Sequence, residues 1–285
     1  MIEHAIALGT FDGMHKGHTA VIKAARESGY PCIAVTFAVP PKSIISGERA
    51  KLLMTRSGKQ RSFAELGVEK CDFLDFDAVR DMSPVQFLDF ICNKYNVKMI
   101  SCGFNYRFGK DAAGDVELLK NYCAKKGIKL HICPPVTENG ILISSSVIRE
   151  LIAKGDIETA NTLLYKPFGF DAPVIHGDCR GRTIGFPTVN QLYPPELVLP
   201  KFGVYSADAY IGGRYYRAVT NLGLRPTYRV EAPLSESYLL CFEGDLYGSV
   251  VEIRLKRFLR GEEKFSNIQE LKSAISGDVS KVKWE

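Results

Sequence analysis

Five short apolar runs recur through the first half of the chain, at residues 5–8, 32–37, 71–74, 99–102 and 128–132, with segments of helical period between them. Apolar runs of this length that scarcely alternate with polar residues mark strands buried on both faces, and their alternation with helices predicts a parallel sheet covered by helices. Two further helices are expected at 147–153 and 157–164, after which Lys166-Pro167-Phe168-Gly169 breaks the pattern. Beyond residue 172 the texture changes. Alternating segments at 204–210, 215–219, 237–242 and 250–255 are separated by Gly, Pro and Asp clusters, which predicts a small antiparallel barrel or sandwich. A last segment, 268–275, has helical spacing and is expected to pack on that sheet. The chain thus reads as an α/β domain over 1–166 followed by a β domain over 167–285.

Composition narrows the function classes. With 285 residues, 46% hydrophobic and 24% charged, disorder and collagen-like architectures are excluded. No stretch approaches the ~18 uncharged apolar residues of a membrane-spanning helix, and Met1-Ile2-Glu3-His4 lacks the basic flank of a secretory signal, so a cytoplasmic location is expected. The net charge of +5 arises from 37 basic and 32 acidic residues spread along the chain, without a basic block that could track a nucleic-acid backbone. Small phosphorylated ligands suit this balance, with neither nucleic acid nor membrane as partner and a monomer or weak homo-oligomer as the expected state. Eight cysteines, at 32, 71, 92, 102, 123, 133, 179 and 241, are widely spaced with no CxxC and read as reduced, mostly buried thiols.

The first run leads at once into Gly9-Thr10-Phe11-Asp12-Gly13-Met14-His15-Lys16-Gly17-His18, and a helical run over 19–27 follows. Glycines at 9, 13 and 17 permit tight turns and close approach of a ligand to the backbone, while the helix start offers unpaired N–H groups and a partial positive charge. Such a turn can seat phosphates. His15 and His18, three apart, can point the same way and donate hydrogen bonds to charge that builds on a phosphate during transfer. Surface histidines or half a metal site would show the same spacing, but no HExxH and no cysteine partner accompanies this pair. A second segment, Ile143-Ser144-Ser145-Ser146-Val147-Ile148-Arg149, follows the fifth run into a helix. Its serines can cap that helix, whereas Arg149 in the first turns opposes the dipole unless an anion sits there.

The HxGH tetrapeptide is similar to the signature of the nucleotidyltransferase superfamily. Together with Gly103-Phe104-Asn105-Tyr106-Arg107-Phe108-Gly109, these segments resemble the adenylyltransferase half of the bacterial bifunctional riboflavin kinase/FAD synthetase family. The second half resembles that family's kinase domain through Gly181-Arg182-Thr183-Ile184-Gly185-Phe186-Pro187-Thr188-Val189-Asn190, residues 200–205, Arg225-Pro226-Thr227, Asp245-Leu246-Tyr247-Gly248 and residues 260–265. The similarity runs over essentially the whole chain in the family's order. It implies a Rossmann-like nucleotidyltransferase domain followed by a six-stranded antiparallel flavokinase barrel. It also implies a two-step route, in which riboflavin and ATP give FMN, then FMN and a second ATP give FAD and pyrophosphate. Two other readings stand beside it. One is a kinase alone, its first domain degraded or re-purposed, since Ala38-Val39-Pro40-Pro41 occupies the place where the family usually carries Asp-Pro-His-Pro. The other is a non-catalytic flavin- or nucleotide-binding regulator.

The resemblance also assigns roles. In the adenylyltransferase half it places Gly9, Phe11, Asp12, Gly13, Gly17, Asn105, Ser145 and Ser146 at the nucleotide, with His15, His18 and Arg149 catalytic. In the kinase half, Gly177, Arg180, Gly181, Arg182, Gly185 and Pro187 would cover ATP. Thr188 and Asn190 alternate about Val189 on an extended segment, so they face one way and present two neutral oxygens suited to a hard cation. The family holds Mg²⁺ with this stretch, and Thr188 and Asn190 inherit that role. Glu236, just before the expected strand, stands at the position of the family's catalytic glutamate, where a carboxylate can take a proton from the ribityl hydroxyl. The flavin ring would lie towards Arg260.

Overall fold

The five apolar runs form one parallel sheet in a computed structural model of the chain that describes residues 2–47, 51–177, 180–224 and 232–283. Its strands and intervening helices are β1 (His4–Leu8), α1 (Lys16–Arg26), β2 (Cys32–Thr36), α2 (Pro41–Ser46), α3 (Arg56–Glu65), β3 (Lys70–Phe73), α4 (Phe76–Val79), α5 (Pro84–Tyr95), β4 (Val97–Gly103), α6 (Val116–Lys126) and β5 (Lys129–Cys133). The order across the sheet is β3-β2-β1-β4-β5, with every pair parallel. β2 is buried at all five positions and β1 at four, as strands covered on both faces must be. Local chemistry sets the helix ends. Ser83 and Gln86 form a capping box at α5 with Pro84 in its first turn, Asp115 caps α6, and Gly127 ends α6 in the left-handed conformation. A small hairpin of β6 (Thr137–Glu138) and β7 (Ile141–Leu142) leads into α7 (Ser145–Lys154).

The second half contains α8 (Ile157–Leu163), β8 (Gly169–Pro173), α9 (Arg180–Thr183), β9 (Thr188–Leu192), β10 (Gly203–Ile211), β11 (Arg214–Leu224), β12 (Pro233–Leu239), β13 (Val250–Arg260) and α10 (Ile268–Lys283). Six of these elements build an antiparallel sheet in the order β8-β13-β10-β11-β12-β9. An antiparallel bridge between Ile175 and Asn190 joins the segment after β8 to β9 and so brings the two edges together as a barrel. Gln191, fully buried, donates from Nε2 to the carbonyls of Ala172 (2.6 Å) and Val251 (2.8 Å), tying β9 to β8 and β13. Contacts divide the chain into two compact units, Met1–Leu52 with Arg56–Val147, and Leu53–Thr55 with Ile148–Glu285.

Two elements differ from the sequence pattern. The strand expected at 237–242 occupies Pro233–Leu239. Its buried face carries Ser235 and Ser237, so the apolar alternation misses its first half, and Cys241 at φ 57° turns the chain soon after it. Glu236 therefore lies inside a strand rather than before one. The final helix continues to Lys283, well beyond residue 275, and the apolar spacing misses its last turns because the buried Asp278 interrupts it. Asp278 is 2% exposed and receives Arg260 Nε at 2.9 Å and Nη2 at 2.8 Å, while Val282 packs with Val204 and Val219.

That ion pair fastens α10 to the end of β13, and removing one partner leaves the other charge poorly compensated. Asp278→Ala is expected to lower the stability of the barrel unit by about 2 kcal/mol, a value reduced for the partial exposure of Arg260. An unchanged urea midpoint would show that the pair does not hold the helix.

Candidate active sites

The strand order of the parallel sheet reverses between β1 and β4, and the crevice beyond the carboxyl ends of such strands is where open α/β sheets bind ligands. Residues 9–18 leave the carboxyl end of β1, and Asn105 follows that of β4. Both segments line one pocket of about 1030 Å³. Of the candidates from the sequence, Gly9, Phe11, His15, Gly17, His18, Asn105 and Ser145 line it. Asp12 and Gly13 lie behind the lining: Asp12 is 1% exposed, and its carbonyl accepts from Ser145 Oγ at 2.8 Å. Ser144 caps the helix through the Val147 amide, whereas Ser146 is exposed. Arg149 stands one turn after Ser145 on α7. Aromatic rings complete the walls: Tyr106 and Phe108 of the Gly103–Gly109 motif stack near each other, and Phe37, set edge-on to Phe76, adds a pair that no motif named.

The two imidazoles are stacked, ring centroids 3.6 Å apart and 15° from parallel, and His15 Nδ1 accepts the backbone amide of His18 as the cap of α1. Desolvation holds His18 well below its ordinary pKa of 6.5, reinforced by His15 and Lys59, so near neutral pH it is an uncharged donor. Phe11 supports it edge-on at 5.3 Å and is itself backed by Phe63 of α3. Lys59, also of α3, escaped the sequence reading. It is 1% exposed and donates from Nζ to the carbonyls of Thr10 (2.8 Å) and Phe37 (3.0 Å). Burial lowers its pKa to about 8 against the opposing pull of Asp12.

In the barrel, register assembles the second site. Glu236 on β12 lies directly opposite Asn221 of β11 on one side and Asn190 of β9 on the other. Directly opposed residues place their side chains on the same face as neighbours, so a carboxylate sits in a row between two amides. Thr188 occupies the adjacent row of that face, opposite Tyr238. Asn221 is the residue here that sequence reasoning missed. Gly177 shows why this corner tolerates no side chain: a Cβ would come within 2.6 Å of Asn190 Nδ2. Asn190 uses that nitrogen toward the Thr188 carbonyl at 3.3 Å, which leaves its carbonyl oxygen as the donor for a cation. Thr188 and Asn190 are thus a hard, neutral oxygen pair that fits Mg²⁺, and among the described residues no cluster of three His, Cys, Asp or Glu offers another metal site.

Gly181 packs as tightly, a Cβ there reaching the Phe186 carbonyl at 2.3 Å, and Gly185 turns at φ 89°. Arg182 and Pro187 are exposed beside them. Arg180 enters as backbone at the head of α9, while Asp178, Cys179 and the Arg225-Pro226-Thr227 stretch lie outside the described residues. The Arg260 guanidinium, expected towards a flavin, engages Asp278 and lies 5.6 Å from the Phe265 ring centroid.

Comparison with known proteins agrees in both halves. A family model described as FAD synthetase matches residues 2–147, and one described as riboflavin kinase matches residues 164–284. The Bacillus subtilis bifunctional riboflavin kinase/FMN adenylyltransferase is 35% identical over 96% of this chain and 89% of its own length. The Escherichia coli K12 protein of the same name is 32% identical over 96% and 90%. A crystal structure from Streptococcus pneumoniae, named as a macrolide-efflux protein, is 31% identical with a TM-score of 0.85 over 99% of this chain and 94% of that one. No helix among the described residues here is long and apolar enough to cross a membrane.

The depressed pKa of His18 has a signed consequence. Below pH 6.5 the unfolded chain binds a proton at residue 18 that the folded chain refuses, so stability present above that pH is lost as the solution is acidified. Urea midpoints followed from about pH 7.5 to 5 should fall more steeply for the native chain than for His18→Gln. Parallel slopes would show that residue 18 is not buried uncharged.

Proposed function

The chain belongs to the bifunctional riboflavin kinase/FMN adenylyltransferase family, and from that premise we propose which of its residues perform each reaction. It is a transferase with two activities, phosphorylation of riboflavin to FMN and adenylylation of FMN to FAD. The observation that supports the assignment is that each half of the chain carries its own set of polar groups: the stacked histidines at the switch point of the sheet, and the Asn221, Glu236 and Asn190 row on the barrel.

In the barrel, Glu236 takes the proton of the ribityl hydroxyl as that oxygen bonds to the γ-phosphorus of ATP and the bond to the β–γ bridging oxygen breaks, releasing ADP. Asn190 and Asn221 flank the carboxylate and orient it. Thr188 and Asn190 would hold Mg²⁺, which when bound would neutralise charge on the ATP phosphates. Gly177, Arg180, Gly181, Arg182, Gly185 and Pro187 cover the nucleotide, and Arg260 borders the flavin. The kinase domain begins in this reading at Pro167, just ahead of β8.

In the parallel-sheet unit, a phosphate oxygen of FMN attacks the α-phosphorus of ATP and pyrophosphate leaves. That nucleophile is already anionic, so no base is required. His15 and His18 donate hydrogen bonds to the phosphates, the turn amides add further donors, and Asn105 contacts the nucleotide. Arg149 and Ser145 take the departing pyrophosphate, with Ser146 beside them.

Two variants separate the reactions. His18→Ala should cut FAD formation from FMN by about 100-fold or more while riboflavin phosphorylation continues. Glu236→Gln should cut FMN formation by at least about 100-fold and leave FMN-to-FAD conversion intact. Product analysis with ATP and Mg²⁺, supplying riboflavin or FMN in parallel, reads both. A folded variant that loses both activities together would contradict separate sites.

A further inference from the structure

Residues 9–18 carry backbone that side chains ordinarily avoid. Phe11 and Met14, neither a glycine, sit at φ 47° and 43°, and conformations of that kind persist only when their surroundings fix them. The fixing groups come from α3 and β2. The Thr10 carbonyl, immediately before Phe11, accepts both Lys59 Nζ at 2.8 Å and Thr36 Oγ1 at 3.0 Å. The same ammonium also holds the Phe37 carbonyl at 3.0 Å, which joins the segments leaving β1 and β2. One turn along α3, Phe63 backs the Phe11 ring that supports His18.

Volume alone does not explain a lysine in this place. Replacing a buried charge by a well-packed apolar side chain is often neutral or stabilising, so an ammonium that is 1% exposed costs stability unless its charge is used. Its charge reaches the site, since it is one of the influences that keep His18 neutral.

We propose that Lys59 is a positioning residue for adenylyl transfer, its ammonium locking the turn that presents His15 and His18 and setting a fixed positive charge behind the triphosphate. This rests on the assignment of adenylyl transfer to that pocket. The titratable and charged groups around Lys59 are Asp12 and His18 of the turn, Cys71 of β3 with Asp72 beside it, and Arg56 of its own helix. His18 stays neutral well below 6.5, and burial pushes the Cys71 thiol up to about 12, so neither changes charge in mildly alkaline solution. Lys59 does, at about 8 in the ligand-free protein. Because kcat/KM reports ionisations of the free enzyme, FAD formation should lose efficiency on the alkaline side of that value.

The experiment measures kcat/KM for FMN adenylylation from about pH 6.5 to 9.5 on the full chain, native and Lys59→Met, with riboflavin phosphorylation on the same samples as the internal control. The native enzyme should show an alkaline limb near pH 8. Lys59→Met should lose about 100-fold in FAD formation, lack that limb, and phosphorylate riboflavin normally. A variant with native FAD formation, or one that is slow but keeps the native limb, would overturn the proposal. So would a native profile that is flat through this range, a result independent of whether the variant folds. Absence of FAD formation by the native chain at every pH would instead sink the assignment of the pocket, and this proposal with it.

Discussion

The carbonyl of Thr10 is the point on which the adenylyltransferase half depends. It stands between the last residues of β1 and a turn with two non-glycine residues in the left-handed region, each costing of order 1–2 kcal/mol. Hydrogen bonds from β2 and α3 converge on that oxygen, and a third, from Ser145, fixes the Asp12 carbonyl two residues on. The turn is therefore shaped by tertiary contacts at three places, not by its own propensity. Its product is a pair of imidazoles stacked 3.6 Å apart at the start of α1, where helix amides already favour an anion.

The barrel reaches precision by a different route. No strained turn is needed, because antiparallel register by itself sets Glu236 between Asn190 and Asn221 and places Thr188 one row away. What the barrel must guarantee is that β9 does not slip, since a shift of one residue would turn Thr188 and Asn190 to the other face. Two devices secure it. The Ile175–Asn190 bridge pins β9 on its open side, and the buried Gln191 amide ties it to β8 and β13. Gln191 can make those bonds in one register alone, so a polar group in the interior supplies the specificity that apolar contacts would leave loose.

Much of this was legible in the chain and some was not, for identifiable reasons. The three central strands announce themselves because burial on both faces demands continuous apolar runs, and the glycine- and histidine-rich turn stands out because few other sequences suit a phosphate seat. Lys59 was hidden because a lysine in a polar helix is read as solvated, and only the packing of α3 beneath the turn reveals otherwise. Asn221 was hidden because its relevance comes from a strand partner fifteen residues later, not from neighbours in sequence. The start of β12 and the end of α10 were misplaced for one shared reason: Ser235, Ser237 and Asp278 are polar residues on buried faces, which hydrophobic periodicity does not register, and Ser237 and Asp278 are paired there by a hydrogen bond and by charge. Thr220 with Ser237, at 2.8 Å, is one such pair.

The contrast between the two sites follows from their nucleophiles. Adenylyl transfer uses a phosphate oxygen that is already charged, so a carboxylate beside it would repel the substrate and a base would have nothing to remove. The histidine turn accordingly offers an uncharged His18 imidazole and the amides of a helix start, with a buried ammonium behind them. Riboflavin phosphorylation uses a neutral hydroxyl that must lose its proton as it attacks, and there the chain places a carboxylate. In the proposed role, two flanking amides would orient that carboxylate without neutralising its charge, as an arginine or lysine would do. A chain running both reactions gains from keeping these settings apart, since the positive field that favours one nucleophile would lower the basicity the other requires.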